Sequence, residues 1–140
     1  MQENIIKFLQ RKHIVSLSVF NQQDMWSSIC FYAFNPLNNS LLIRTSPDTR
    51  HGIIMQTHPQ ITGTIIHDTT TVAKLQGIQF TGTIHELCGE MKKSALAFYY
   101  ERFPYARAMK SSLWEICFNE IKFTDNTLGF GKKTLWKRES

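Results

Sequence analysis

The feature that most constrains this chain is a succession of short apolar segments, set apart by turn residues. Val15, Leu17 and Val19 alternate with Ser16 and Ser18, the period of two of a strand with one buried face. Residues 26–34 are almost continuously apolar and aromatic, which predicts a central strand covered on both faces. Asn21-Gln22-Gln23-Asp24 reads as the hairpin turn between these two strands. A second turn, Asn35-Pro36-Leu37-Asn38-Asn39, leads into a strand over 41–45. Further strands are predicted over 61–67, 72–87 and 113–123, with a last extended segment over 128–136 opened by Gly129 and Gly131. Gly77 and Gly82 within the long segment suggest bulges, as a closing barrel requires.

Helices are few. Residues 2–12 place Ile5, Phe8 and Leu9 on one face. Ser46-Pro47-Asp48 reads as a helix start, with serine as cap and proline in the first position. That helix should run to about Thr57, stopping before His58-Pro59. A third helix over 91–101 carries Met91, Ala95 and Phe98 on one side, ends at Phe103-Pro104, and is followed by a helical turn through Met109. Six or seven strands joined mainly by turns favour an antiparallel barrel over a doubly wound sheet, so the expected class is mainly β (α+β).

The length of 140 residues predicts a single domain over 1–140, and a 42% hydrophobic share suffices for a packed core. No apolar run reaches the ~18 residues of a membrane helix, and residues 1–10 lack a signal-peptide pattern. A soluble cytoplasmic protein without a membrane partner is expected. Cys30, Cys88 and Cys117 are widely spaced, and Cys30 and Cys117 have apolar neighbours, which predicts buried, reduced thiols. The net charge of +5 comes from residues 91–140, which suits an anionic partner or simply a solvated basic face.

Chemistry concentrates at Arg44-Thr45-Ser46-Pro47-Asp48-Thr49-Arg50-His51, where a strand runs into a helix N-terminus. Free N–H groups, the positive end of the helix dipole, three hydroxyls, two guanidinium groups and an imidazole are the parts of a phosphate site. The same residues also suit an ordinary helix cap with two solvated arginines. Lys132, Lys133, Trp136 and Arg138 pair cations with an aromatic, which suits a planar anion, although Trp136 packed on the barrel explains it equally. His51 and His58, seven apart, and His67 and His85 on separate strands do not have metal-ligand spacing, so no metal is expected. No covalent-nucleophile motif is present, and no catalytic acid or base is assigned.

Thr45-x-x-x-Thr49-Arg50-His51 resembles the Thr-x-x-x-Ser-[Arg/Lys]-Lys motif of the pyridoxamine phosphate oxidase-like, FMN-binding split-barrel superfamily. There too a helix ending in proline, here Pro59, and a strand follow. Residues 75–83 resemble the superfamily's later glycine-flanked strand. The tail over 123–133, with Trp114-Glu115-Ile116 and Arg102-Phe103-Pro104, is similar to the small bacterial family of YhbP-like proteins. The resemblance implies a six-stranded antiparallel split β-barrel with short flanking helices, usually a homodimer with two sites between subunits. It places a flavin phosphate at Thr45, Thr49, Arg50 and His51, beside Arg44. One departure from the motif is informative: His51 stands where many relatives have lysine, and a neutral imidazole brings less charge to a phosphate. With Lys133 and Trp136 added from the basic tail, these residues form the expected FMN site. The functional expectation is an FMN-dependent oxidoreductase of unknown substrate; the alternative is a non-enzymatic binding module that has lost flavin. Nucleic acid ranks last among partners.

Overall fold

The computed structural model describes residues 1–108 and 110–140. It runs α1 (Glu3–Arg11), β1 (Ile14–Phe20), β2 (Met25–Asn35), β3 (Ser40–Arg44), α2 (Arg50–Thr57), β4 (Gln60–Ile66), β5 (Gln76–Glu86), α3 (Gly89–Arg102), β6 (Leu113–Asp125) and β7 (Lys133–Lys137). Every strand pairing is antiparallel. The order β3-β2-β1-β4-β5-β6 closes on itself because β3 also pairs with β6, so six strands make a barrel. The seventh strand lies outside it. β6 is 13 residues long and shares one edge between two partners: residues 113–117 pair with β3, and 120–124 with β7.

Alternation explains the interior. Val15, Leu17 and Val19 of β1, Ile61 and Ile65 of β4, and Ile78, Phe80 and Ile84 of β5 point inward and are buried. On β6 the inward set changes from Trp114, Ile116 and Phe118 to Ile121 and Phe123. The cause is a bulge: Thr81 pairs with Glu120 and Gly82 with Phe118, leaving Asn119 unpaired and reversing the parity. Gly82 fits that bend because a Cβ there would lie 3.0 Å from the Cys117 carbonyl oxygen. No such shift occurs at Gly77. Phe8 and Leu9 of α1 and Ile54 and Met55 of α2 complete the core. A second cluster, with Leu42, Leu87, Tyr99, Phe103 and Leu113, lies between the barrel and α3. Each fully buried large side chain contributes roughly 1.5–3 kcal/mol.

Five expectations are corrected. Thr49, not Ser46, caps α2, as described below. Residues 26–34 are not covered along both faces: Ile29 and Phe31 are 75% and 50% exposed, because α3 covers the outward side of β2 only towards its end, where Ala33 is buried. The long segment 72–87 is broken. Val72–Lys74 forms a 3-10 turn, held where the Asn126 side chain donates to the Val72 carbonyl, and β5 starts at Gln76. Met91 is exposed, and Tyr99 provides the buried contact of α3. Of the two thiols expected to be buried, Cys30 is, but Cys117 is only half-buried, and Cys88 is exposed. The helical turn after Phe103 spans Pro104–Ala108, and its expected end at Met109 lies outside the described residues. Among the described residues no helix is long and apolar enough to cross a membrane.

Candidate functional site

The β3–α2 junction is a turn followed by a cap. The Ser46 carbonyl accepts from the Thr49 N–H at 3.4 Å and from Thr49 Oγ1 at 2.8 Å, while Ser46 Oγ accepts from the Asp48 N–H at 3.2 Å. Residues 46–49 are therefore used up in the turn, and α2 begins three residues later than the sequence suggested. Thr49 Oγ1 accepts from the Gly52 N–H at 3.0 Å, satisfying one of the helix's orphan donors. Gly52 is required sterically. A Cβ there would sit 2.5 Å from the Ser46 carbonyl oxygen and 2.8 Å from Thr49 Oγ1.

This geometry turns His51 inward. Its Nε2 lies 2.7 Å from Thr45 Oγ1, 3.2 Å from Thr49 Oγ1 and 3.4 Å from Ser28 Oγ. Thr45 is buried, and its carbonyl accepts from the Trp114 indole N–H at 3.0 Å. Burial holds the His51 imidazole below its ordinary pKa, so the ring is neutral at neutral pH. The result is an uncharged group of three hydroxyls around one imidazole, at the N-terminal end of α2.

The two arginines turn away from this group. Arg44 Nη1 donates to Tyr100 Oη at 3.1 Å and to the Ala106 carbonyl at 3.2 Å, and Nη2 donates to the Ser111 carbonyl at 2.6 Å. Arg50 donates from Nε and Nη2 to both oxygens of Asp24, at 2.9 and 2.6 Å, and stacks 3.8 Å from the Trp26 ring centroid. The Arg50 hydrogen bond holds the Asp24 carboxyl below its usual range.

Lys133 and Trp136 do not reach the junction within one chain. Arg44 pairs with Leu113 at the start of β6, and Lys133 pairs with Thr124 near its end. At about 3.3 Å per residue these points are roughly 35 Å apart along the strand. Lys133 Nζ donates to the Gly131 carbonyl at 3.0 Å, while Trp136 packs against the core with Arg138 over its ring. Sequence reasoning missed Ser28, Asp24 and Trp26. The parity of β2 was the available signal, because Trp26 and Ser28 share a face with the inward Cys30 and Tyr32. Among the described residues, grooves of about 380 to 630 Å³ lie elsewhere on the surface, and Thr45, Thr49, Arg50 and His51 do not line them.

No family model matches the chain. Among curated proteins, a UPF0306 protein of Photorhabdus laumondii is 44% identical over 134 residues, covering 96% of this chain and 94% of the relative. A UPF0306 protein of Yersinia enterocolitica is 42% identical over 134 residues, covering 96% and 91%. The chain belongs to the UPF0306 family.

The barrel of this UPF0306 chain is similar to several solved structures. A heme binding protein from Mycobacterium smegmatis matches 98% of the chain with a TM-score of 0.77 at 13% identity; the chain spans 59% of that longer protein. HutZ of Vibrio cholerae, described as a heme storage protein, matches 97% of the chain and 93% of its own length, with a TM-score of 0.68 and 16% identity. A FAD-binding protein from Mesorhizobium loti matches 86% and 92%, with a TM-score of 0.69 and 11% identity. At these identities the likeness establishes the split-barrel fold.

Proposed function

We propose that this UPF0306 chain binds flavin mononucleotide, or a similarly phosphorylated planar molecule, at the β3–α2 junction, and that it works as a homodimer. One observation carries the reading: Thr45 Oγ1 and Thr49 Oγ1 both lie within 3.2 Å of one neutral imidazole at a helix N-terminus. The Thr45 hydroxyl, the N–H groups of the helix's first turn and the helix dipole suit an anionic oxygen, while Thr49, whose proton goes to the Ser46 carbonyl, holds the turn. His51 adds a hydrogen bond there rather than a charge. Arg50 is the nearest mobile cation in sequence, once it exchanges Asp24 for the ligand.

An FMN-dependent oxidoreductase is the enzymatic form of this reading. Flavin supplies redox chemistry when bound, and the chain's part is to hold the phosphate and shield the ring. The tail over 123–133 adds the narrower YhbP-like assignment within the family. A reducing cytoplasm suits the three free thiols.

The homodimer rests on the outer face of β1, β2 and β4. Ile14, Phe20, Met25, Ile29, Phe31 and Ile66 are 45–75% exposed. Register sets Ile14 beside Phe31 and Phe20 beside Met25, with serines between, so the apolar residues form one surface. A contiguous apolar face of this kind marks an association site. Ile29→Asp should convert a dimer to a monomer in light scattering; wild-type protein that runs as a monomer removes this part of the reading.

A second reading, a binding module without flavin, is favoured by how the positive charge is committed. Arg44 and Arg50 are both engaged within the chain, and His51 is neutral. Since fold neighbours include heme proteins, hemin is the other planar ligand to test. The absorbance spectrum of freshly purified protein, followed by titration with FMN and with hemin, separates the cases. A flavin band, or saturable FMN binding weakened by Thr45→Val, supports the first reading. A Soret band, or no uptake of FMN, overturns it.

A further inference from the structure

The outer face of the barrel, away from the β3–α2 junction, carries a second polar cluster. His85 of β5 pairs directly with Glu115 of β6, and Thr83 pairs with Cys117 two residues along. Strand alternation therefore puts the imidazole, the carboxylate and the thiol on one face. One ligand atom from each lies within 4.8 Å of the others, the only such group of three among the described residues.

Glu115 makes this more than a chance grouping. Its side chain is only 7% exposed, yet it carries a carboxylate. Oε2 is satisfied, accepting from Ser40 Oγ at 2.7 Å and from Asn38 Nδ2 at 3.4 Å. Oε1 accepts no hydrogen bond among the described residues and faces His85 Nε2 at 3.5 Å. The neighbouring guanidinium of Arg138 is spent on the carbonyls of Phe118, Asn38 and Asn39. A carboxylate this withdrawn from water is costly unless a cation or donor meets its open oxygen.

We propose that His85, Glu115 and Cys117 form a three-ligand site for a zinc-class divalent cation, with the fourth coordination position open. Imidazole nitrogen, carboxylate oxygen and thiolate sulfur are the ligand set zinc takes, and three protein ligands plus an exchangeable position is the pattern of non-structural zinc sites. Tetrahedral zinc at its usual bond lengths holds such ligand atoms about 3.4–3.6 Å apart, close to the observed nitrogen–oxygen separation. The other separations are within 4.8 Å, so a closure of at most about 1 Å completes the site, and the His85 side chain, 47% exposed, has room to move. Burial, and then the charge of Glu115, raise the Cys117 thiol above its ordinary pKa. The cation therefore displaces the thiol proton as it binds. Ser40 and Asn38 hold Glu115 from behind, as groups outside a metal's ligand set commonly do.

Chelator-treated full-length protein should be titrated with zinc against a chromophoric competitor and, separately, with cobalt. The expected result is one metal per chain and a thiolate-to-cobalt charge-transfer band in the near ultraviolet. His85→Ala and Cys117→Ser should each weaken zinc binding by about tenfold or more, and Cys117→Ser should abolish the band. Cys88→Ser should change neither. His85 is exposed, so its variant folds even if substitution at Glu115 does not. No stoichiometric binding, a cobalt complex without the band, or His85→Ala binding like wild type would each overturn the proposal.

Discussion

The two sides of the β3–α2 turn use arginine in opposite ways. Arg44, the last residue of β3, sends its guanidinium under the segment that follows α3, where it serves three oxygens at Tyr100, Ala106 and Ser111. Arg50, the first residue of α2, lies at the surface, paired with Asp24 and stacked on Trp26. Between them sits an uncharged cluster of Thr45, Thr49, Ser28 and His51. One arginine is structural mortar and the other is a tethered surface charge. Strand parity and the helix start, not proximity in sequence, decide which is which.

The sharpest way to break this comparison is Arg44→Ala. It removes three hydrogen bonds from a charged donor and leaves two backbone carbonyls without it, so stability should fall by about 2–4 kcal/mol in urea unfolding. Arg44→Lys should recover little, because an ammonium cannot span the same oxygens. An unchanged midpoint would show that Arg44 is not the tie described here.

Thr49→Ala comes next. It deletes the α2 cap, at a cost of about 1 kcal/mol, and takes one hydroxyl from the cluster, while Thr49→Ser should restore most of both. Equal stability of all three proteins would remove the cap.

The pH dependence is a gentler probe. The folded pKa of His51 is lowered, so the unfolded chain binds the proton more readily than the folded one. The stability associated with the neutral ring is fully present above the unfolded value of about 6.5 and is lost as pH falls through the folded value. His51→Gln should flatten this part of the profile in thermal melts taken between about pH 7.5 and 5, where a histidine titrates.

On the Arg50 side the stability effect should be the smallest, because exposed ion pairs contribute little. Asp24→Asn should leave the melting temperature nearly unchanged while raising affinity for inorganic phosphate, by freeing the guanidinium. Unaltered phosphate binding would place Arg50 outside the site.

Much of the barrel was legible because period-two burial leaves a direct trace, as at Val15, Leu17 and Val19. The bulge at Gly82 was legible from the glycine itself, although Gly77 carries the same signal without a register shift. What escaped was tertiary. Ser46 has every local attribute of a cap, but its carbonyl is claimed by the Thr49 hydroxyl and N–H. The apolar run over 26–34 looks doubly covered, since sequence does not distinguish an outward face turned to solvent from one packed on another layer. At the site, the motif placed Thr45, Thr49 and His51 together, and these do converge. The directions of Arg44 and Arg50 depend on Ser111 and Asp24, which are distant in sequence. The His85, Glu115 and Cys117 cluster had only a faint signal, Glu115-x-Cys117 with its i, i+2 parity, because the imidazole arrives from another strand. Histidine spacing alone therefore predicted no metal.

The shared edge of β6 has one more consequence. The barrel closes on only the first part of this strand, so residues 120–124 would present bare amide and carbonyl groups if β7 were missing. The tail acts as a built-in guard rail, latched at its far end by Arg138 to the carbonyls of Phe118, Asn38 and Asn39. A chain cut after β6 would keep its barrel but expose a sticky margin, inviting sheets of neighbouring molecules to zip together.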